Sequence, residues 1–331
     1  MNREAPLVSI LIPNYNKAPY IRETLDSVLN QTYQHWECII VDDHSTDESW
    51  EILEEYSAKD DRFKVFQRPD HLAKGGNVCR NYALRLSLGE YIQFLDSDDI
   101  LALTCLNEEC RFVKKYPQKD FLVFNSELFD KSPGDLGVLW NIDKEENDFY
   151  RYLKTDGVWQ TAGALYKRSF FLLNLAFNED LSIWQDFDLH FRAILVSKNY
   201  KKLLGLKPNI FIRNGLENSI SRTKDRKVVL DQLKNRFIIY LSFKELIRKG
   251  GLDFDKPGYF IYKSVCFWFA AQFYVKYGRW DGFIESLNQL RKSQNLPFYK
   301  CELYKVHCLM LKVANRWRPM KKLLVFLGGI K

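Results

Sequence analysis

The chain has 331 residues, of which 46% are hydrophobic and 27% charged. That is enough for one large core or two small ones, and it excludes a disordered chain. The net charge of +7 is unevenly placed: from Tyr299 onward eight Lys or Arg face a single acid, Glu302, so the rest of the chain is balanced. A basic excess confined to a tail argues against a nucleic-acid-binding body and toward contact with a membrane surface.

In chain order, LVSILI (7–12) is a β-branched apolar run closed by Pro13 and Asn14, and it reads as a strand buried on both faces. Ile21, Leu25, Val28 and Leu29 follow at helical spacing. WECIIV (36–41) is a second strand. After it, Ser45 and Glu48 have capping-box spacing ahead of a helix carrying Trp50, Leu53 and Tyr56. FKVFQ (63–67) reads as a third strand, residues 75–89 as a helix entered through glycines and closed by Gly89, and YIQFL (91–95) as a fourth strand. Strand–helix alternation with short connections predicts an α/β fold, a Rossmann-like, mostly parallel sheet with helices on both faces.

Beyond residue 100 the pattern is mixed. LNEECRFVKKY reads as a helix, FLVFN (121–125) as a strand, and GDLGVLWNIDKEEND as a loop. GVWQTAGALYK and KNYKKLLGLKPNIFIR read as strands and hairpins around a helix at QDFDLHFRAILVS. Residues 225–331 read as a helical C-terminal extension, so the expected division is 1–224 and 225–331.

In such sheets ligands bind beyond the carboxyl ends of the strands. Here those ends read PNYN, DDHS, the loop before KGGN, and DSDD. Asp42 and Asp43 exceed what helix capping needs. Asp96, Asp98 and Asp99 repel one another unless water solvates them or a cation joins them, and carboxylate oxygens suit Mg²⁺ or Mn²⁺. Near HLAKGGNVCRNYA, Lys74, Arg80 and Asn81 are candidates to face phosphates. No GxGxxG and no GxxxxGK[ST] is present, which argues against a dehydrogenase or a P-loop enzyme.

The stretch VSILIPNYNKAPYIRETLDSVLNQTYQHWECIIVDDHSTDES, together with GEYIQFLDSDD, resembles a family 2 glycosyltransferase of the glycosyltransferase-A fold over roughly residues 6–222. The resemblance implies a nucleotide-binding half at 1–100 and an acceptor half at 101–224. It implies metal-assisted, inverting transfer of a sugar from a nucleoside-diphosphate donor to a glycan or lipid-linked acceptor, in surface polysaccharide or glycoconjugate synthesis. By resemblance, Pro13 and Tyr15 flank the base and Asp43 holds it, Asp96 lies near the ribose, and Asp98 binds Mg²⁺ or Mn²⁺. Asp186 matches the catalytic base, although the acid that usually precedes it is Gln185 here. Arg213, Ser219 and Ser221 fit a later motif that lacks its usual histidine. Alternatives are a catalytically degenerate sugar-nucleotide or glycan-binding protein and a nucleotidyltransferase.

The N-terminus lacks the pattern of a signal peptide, and the longest apolar runs fall short of the ~20 residues that cross a bilayer. The seven cysteines are scattered without a CxxC, which fits reduced thiols. The expectation is therefore a cytoplasmic protein. The tail carries Val306, Met310, Val313, Trp317 and Met320 at alternating spacings of four and three, with Lys305, Lys312, Arg316 and Arg318 off that stripe. It reads either as a helix docked on the body or as an amphipathic anchor on the inner face of an anionic membrane.

Overall fold

A computed structural model of the chain describes residues 5–140, 142–214, 226–271 and residue 288. The first elements are β1 (Val8–Asn14), α1 (Ala18–Leu29), β2 (Trp36–Asp42), α2 (Ser49–Lys59), β3 (Phe63–Gln67), α3 (Gly76–Leu86) and β4 (Tyr91–Phe94). Next come β5 (Ile100–Leu101), α4 (Cys105–Lys115), β6 (Phe121–Phe124), β7 (Ser126–Phe129), β8 (Val138–Leu139) and α5 (Asp148–Leu153). β9 (Ala164–Lys167), α6 (Arg168–Asn174), α7 (Gln185–Val196), β10 (Tyr200–Leu203), β11 (Ile210–Arg213), α8 (Arg226–Lys249) and α9 (Lys256–Ala271) follow.

The described residues divide into two compact units, one within 1–145 and 157–216, the other within 146–156 and 217–331. The first holds a seven-stranded sheet in the order β10-β6-β9-β4-β1-β2-β3 and a four-stranded sheet in the order β5-β11-β7-β8. Every residue of β1 and β2 is buried, including Ser9 and Glu37, which interrupt the apolar runs and bond to each other at 2.6 Å. Period two divides β1 between two layers. Val8, Ile10 and Ile12 join Ile21, Leu25 and Val28 of α1, Leu53 of α2 and Leu106 of α4 in one core cluster. On β4, Phe94 packs edge-on against Phe177 and is tilted against Phe171, at ring separations of 5.0 and 5.3 Å.

The sheet departs from uniform polarity at β9, which runs antiparallel to both β4 and β6. A 3₁₀ turn at Thr161–Gly163 leads the chain into β9, and Gln93 of β4 donates from Nε2 to the Ala162 carbonyl at 2.5 Å. The predicted hairpin in 198–213 does not form. β10 joins the large sheet parallel to β6, whereas β11 joins the small sheet between β5 and β7. Between them Asn125 donates to the Leu204 carbonyl at 3.1 Å, holding the connection as the chain crosses from one sheet to the other.

The predicted capping box at Ser45 and Glu48 is also absent. Glu48 makes no side-chain cap, and Ser45 is drawn to Asp42 instead. Asp47 takes the capping role by accepting from the Ser49 and Ala18 amides at 3.0 Å each, thereby serving α2 and α1 together. Gly89 does not close α3, which ends at Leu86. It lies where a Cβ would meet Ser9 Oγ at 2.5 Å and the Ser9 nitrogen at 2.6 Å, so close backbone approach is what demands glycine there.

In the second unit the Tyr240 hydroxyl of α8 donates to the Leu153 carbonyl at the end of α5 at 2.7 Å. Its ring stacks on Tyr262 of α9 at 5.1 Å. Residues 146–156 thus belong with the helical part rather than with the sheets that flank them in sequence. Among the described residues no helix is long and apolar enough to cross a membrane. The amphipathic tail, Ser219 and Ser221 lie outside the described residues.

Glu109 of α4 is fully buried, and its Oε2 has no hydrogen-bond partner. Burial pushes its carboxyl up to about 8 from an ordinary value of 4.5. Between these two values an unfolded chain loses the proton while the folded chain keeps it, so stability falls as pH rises through that window and levels off above it. Glu109→Gln, neutral at every pH, is expected to lose this part of the slope, as read from urea midpoints at about pH 5 and about pH 8.

Candidate active site

The carboxyl ends of β1, β2 and β4 lie side by side, with Asn14 in register with Asp42 and Leu11 with Phe94. Asp42 is wholly buried and builds the floor. It accepts from Asn14 Nδ2 at 2.7 Å, from the Ser45 amide at 2.8 Å and from Ser45 Oγ at 2.6 Å. Asp43 is buried too. It takes Arg68 Nε on one oxygen at 2.5 Å and the Gly75 amide on the other at 2.9 Å. Gly75 has φ 145°, a conformation L side chains rarely adopt, so the glycine in this loop lets the chain present an N–H to Asp43. Neither aspartate caps α2; one shapes the β1 and β2 loops, the other ties β2 to the loop before α3.

The three carboxylates after β4 are each held differently. Asp96 receives Arg80 Nη2 at 2.6 Å. Asp98 receives Lys17 Nζ at 2.5 Å. Asp99 is buried and accepts the Arg213 backbone N–H at 3.0 Å. Burial first, and then the charges of Asp98 and Asp96, push Asp99 well above the ordinary carboxylate range, which favours its neutral form. The sequence reading expects a metal ion at Asp98. The three acids also meet two side-chain cations and one backbone donor.

Arg80, on the second turn of α3, links two parts of the site. Besides Asp96 it donates from Nη1 to Gln185 Oε1 at 3.1 Å and to Asn77 Oδ1 at 3.3 Å, and its guanidinium lies 5.2 Å from the Phe177 ring centroid. The residue standing in place of an expected acid is therefore the one that meets the arginine. Asn81 lies away from this cluster, bonded to the Phe177 carbonyl and to Glu179. Lys74 sits over the half-exposed Tyr15 ring, with Nζ 3.8 Å from its centroid. Pro13 is buried within β1.

Asp186 is the second residue of α7, which follows Trp184, whose φ of 56° turns the chain sharply into the helix. One carboxylate oxygen accepts the Phe187 N–H at 2.8 Å. Burial, followed by the nearby Asp96 charge, raises its pKa above the ordinary value; the Phe187 amide and Arg80 act in the opposite direction. Further along α7, Arg192 clamps Asp188 at 2.7 Å and the Ala176 carbonyl, a structural role. His190 is buried against Tyr166, and burial pushes it down to about 3, so it is neutral.

Lys17 and Arg68 are site residues the sequence reading missed. Lys17 carried a usable signal: it is the N-cap of α1, where a positive charge opposes the helix dipole and calls for an acid nearby. Arg68 directly follows β3 and had no local cue.

A divalent ion fits Asp98 only in the manner of a one-carboxylate site. Among the described residues no three His, Cys, Asp or Glu side chains gather to hold a metal. Asp98 is partly open, and Mg²⁺ commonly takes one or two carboxylates and completes its shell with substrate phosphates and water.

Residues 9–172 match the family described as Glycosyl transferase family 2. The chain is 42% identical over 113 residues to TuaG of Bacillus subtilis (strain 168), covering 34% of this chain and 44% of that one. It is 38% identical over 127 residues to the UDP-Glc:alpha-D-GlcNAc-diphosphoundecaprenol beta-1,3-glucosyltransferase WfaP of Escherichia coli, covering 35% and 49%. The chain thus matches less than half the length of either relative. The crystal structure of S. aureus TarS 1–349 in complex with UDP-GlcNAc superposes with a TM-score of 0.68 at 22% identity, over 88% of this chain and 81% of that one. The fold is the glycosyltransferase-A type that the sequence implied.

Removing Arg68 leaves the buried Asp43 carboxylate without its cation. Arg68→Met is expected to cost about 3–5 kcal/mol in urea unfolding, the usual penalty for breaking a buried pair from one side. Arg22→Met, at the exposed pair with Glu55, is expected to leave the urea midpoint nearly unchanged.

Proposed function

The chain belongs to glycosyl transferase family 2, and we propose that it transfers a sugar from a nucleoside-diphosphate sugar to an acceptor hydroxyl with inversion at the anomeric carbon. The observation that carries this reading is Asp186, a carboxylate with a raised pKa, electrostatically coupled to Asp96 and Arg80 at the open strand ends. The name of WfaP joins UDP-Glc to a diphosphoundecaprenol-linked GlcNAc. That supports a donor and a lipid-linked or glycan acceptor of the same chemical class here, in polysaccharide or glycoconjugate synthesis. A lipid-linked acceptor would place the protein at the cytoplasmic face of a membrane.

The base of the donor would stack on Tyr15, displacing the Lys74 ammonium toward the diphosphate, and Pro13 would wall the base on its other side. Asp43 would accept a base N–H; it uses two of the roughly four acceptor positions of a carboxylate for Arg68 and Gly75, so capacity remains. Asp96 would accept from the ribose while Arg80 keeps it oriented. Asp98 would hold Mg²⁺ or Mn²⁺, which as a Lewis acid offsets the charge growing on the leaving diphosphate. Asp186 would take the acceptor hydroxyl's proton as that oxygen attacks C1 from the face opposite the diphosphate. The Phe187 N–H fixes the carboxylate's direction, and burial raises its basicity above that of a solvated aspartate.

Asp186→Asn is expected to keep donor affinity within about twofold and to lose about 10²–10⁴ in kcat. Wild-type turnover in this variant would remove the assigned base.

Because the base works ionised, kcat/KM should fall as pH drops through a value above the ordinary aspartate range. Arg80 lowers that value, so in Arg80→Met the acidic limb should move to higher pH. A pH–rate profile reads both effects.

A further inference from the structure

The Lys17–Asp98 pair is the strongest feature that the transfer mechanism does not use. The backbone of Lys17 is fixed from several sides. Its N–H donates to Ser49 Oγ at 2.9 Å, its carbonyl accepts from Tyr20 and Ile21 at 2.8 and 2.9 Å, and the next amide, Ala18, is tied to Asp47. Asn16, just before it, is in the left-handed region with φ 50° and is bonded to Thr46. From this rigid base the side chain reaches Asp98 with Nζ at 2.5 Å from Oδ2. Both partners are partly buried, at 30% and 16% side-chain exposure. An ammonium at the start of a helix is unfavourably placed with respect to the helix dipole. The contact with Asp98 is what offsets that cost.

We propose that Lys17 is a tethered cation that competes with a divalent metal ion for Asp98. One carboxylate cannot give the same oxygen to a lysine and to Mg²⁺ or Mn²⁺ at full strength. A metal ion arriving at this carboxylate meets the ammonium already paired with Oδ2, so the two cations repel each other and share one negative charge, and metal entry weakens the hold of Lys17 on Oδ2. Lys17 thus sets how strongly donor binding depends on metal: the protein carries a monovalent substitute for part of the ion's charge. This inference rests on the donor-site reading above for its purpose. The competition itself can be measured without any nucleotide.

The test is titration of the full chain with Mn²⁺ alone, following free Mn²⁺ by its EPR signal. Wild type, Lys17→Met, Lys17→Arg and the Lys17→Met/Asp98→Ala double variant are compared, with thermal melts confirming that each is folded. Met retains the aliphatic stem and removes the charge. Lys17→Met is expected to bind Mn²⁺ at least about fivefold more tightly than wild type, as loss of a competing ion pair predicts. Lys17→Arg should stay near wild type, and the double variant should lose the gain. Equal or weaker uptake by Lys17→Met, including no uptake by any form, overturns the proposal. So does a gain that survives Asp98→Ala. Since no nucleotide or sugar is present, a failure of the transferase reading would appear in donor binding and not in this titration.

Discussion

Electrostatic repulsion among Asp96, Asp98 and Asp99 is the constraint around which this site is arranged. Three carboxylates within four residues at the end of a buried strand cannot all be ionised without partners. The fold provides one for each, from different parts of the chain. Arg80 comes from α3, Lys17 from the start of α1, and the Arg213 amide from the end of β11 in the second sheet. Arg213 contributes more than its amide. Its Nε donates to the Asp98 carbonyl at 3.0 Å and its Nη2 to Glu23 at 2.7 Å. The loop after β4 is thus fixed by α1, α3 and the small sheet together.

The same logic extends to β2. Asp42 spends its acceptor capacity on the β1 and β2 loops, and Asp43 on Arg68 and Gly75. Polar groups that would be costly to bury are satisfied by loop backbone and cations before any ligand arrives. Ligand entry at such a site is an exchange: a base N–H, a ribose hydroxyl or a diphosphate takes up acceptors and charges that the protein has already oriented. At Asp186 burial is the main cause of the raised pKa; the charge of Asp96 adds to it, and the Phe187 amide and Arg80 limit the rise.

Much of the nucleotide-side architecture was legible in the sequence. Largely apolar, β-branched runs marked β1 and β2 as buried strands, and the polar residues at their ends marked the site, because parallel sheets bind at those ends. Side-chain patterns do not encode strand direction or partner, so the antiparallel β9 and the division of β10 and β11 between two sheets were hidden. Ser45 was misread as a cap because spacing cannot say whether a hydroxyl turns toward its own helix or toward Asp42. Arg68 was missed because an ion pair between residues far apart in the chain leaves no local pattern; the charge of Lys17 at the start of α1 was a local signal, but its partner Asp98 lies 81 residues away. Asp186 was identifiable only by resemblance: taken alone, an aspartate at a helix start is a cap, and its carboxylate does accept an amide of its own helix.

The central claim, that these strand ends form a nucleoside-diphosphate site served by Asp98, is tested most directly by calorimetric titration with UDP, GDP and dTDP in the presence of Mn²⁺. The account predicts that one of the three binds, and that Asp98→Ala weakens that binding at least about tenfold. Binding by none of them, or binding of equal strength in the variant, would contradict it.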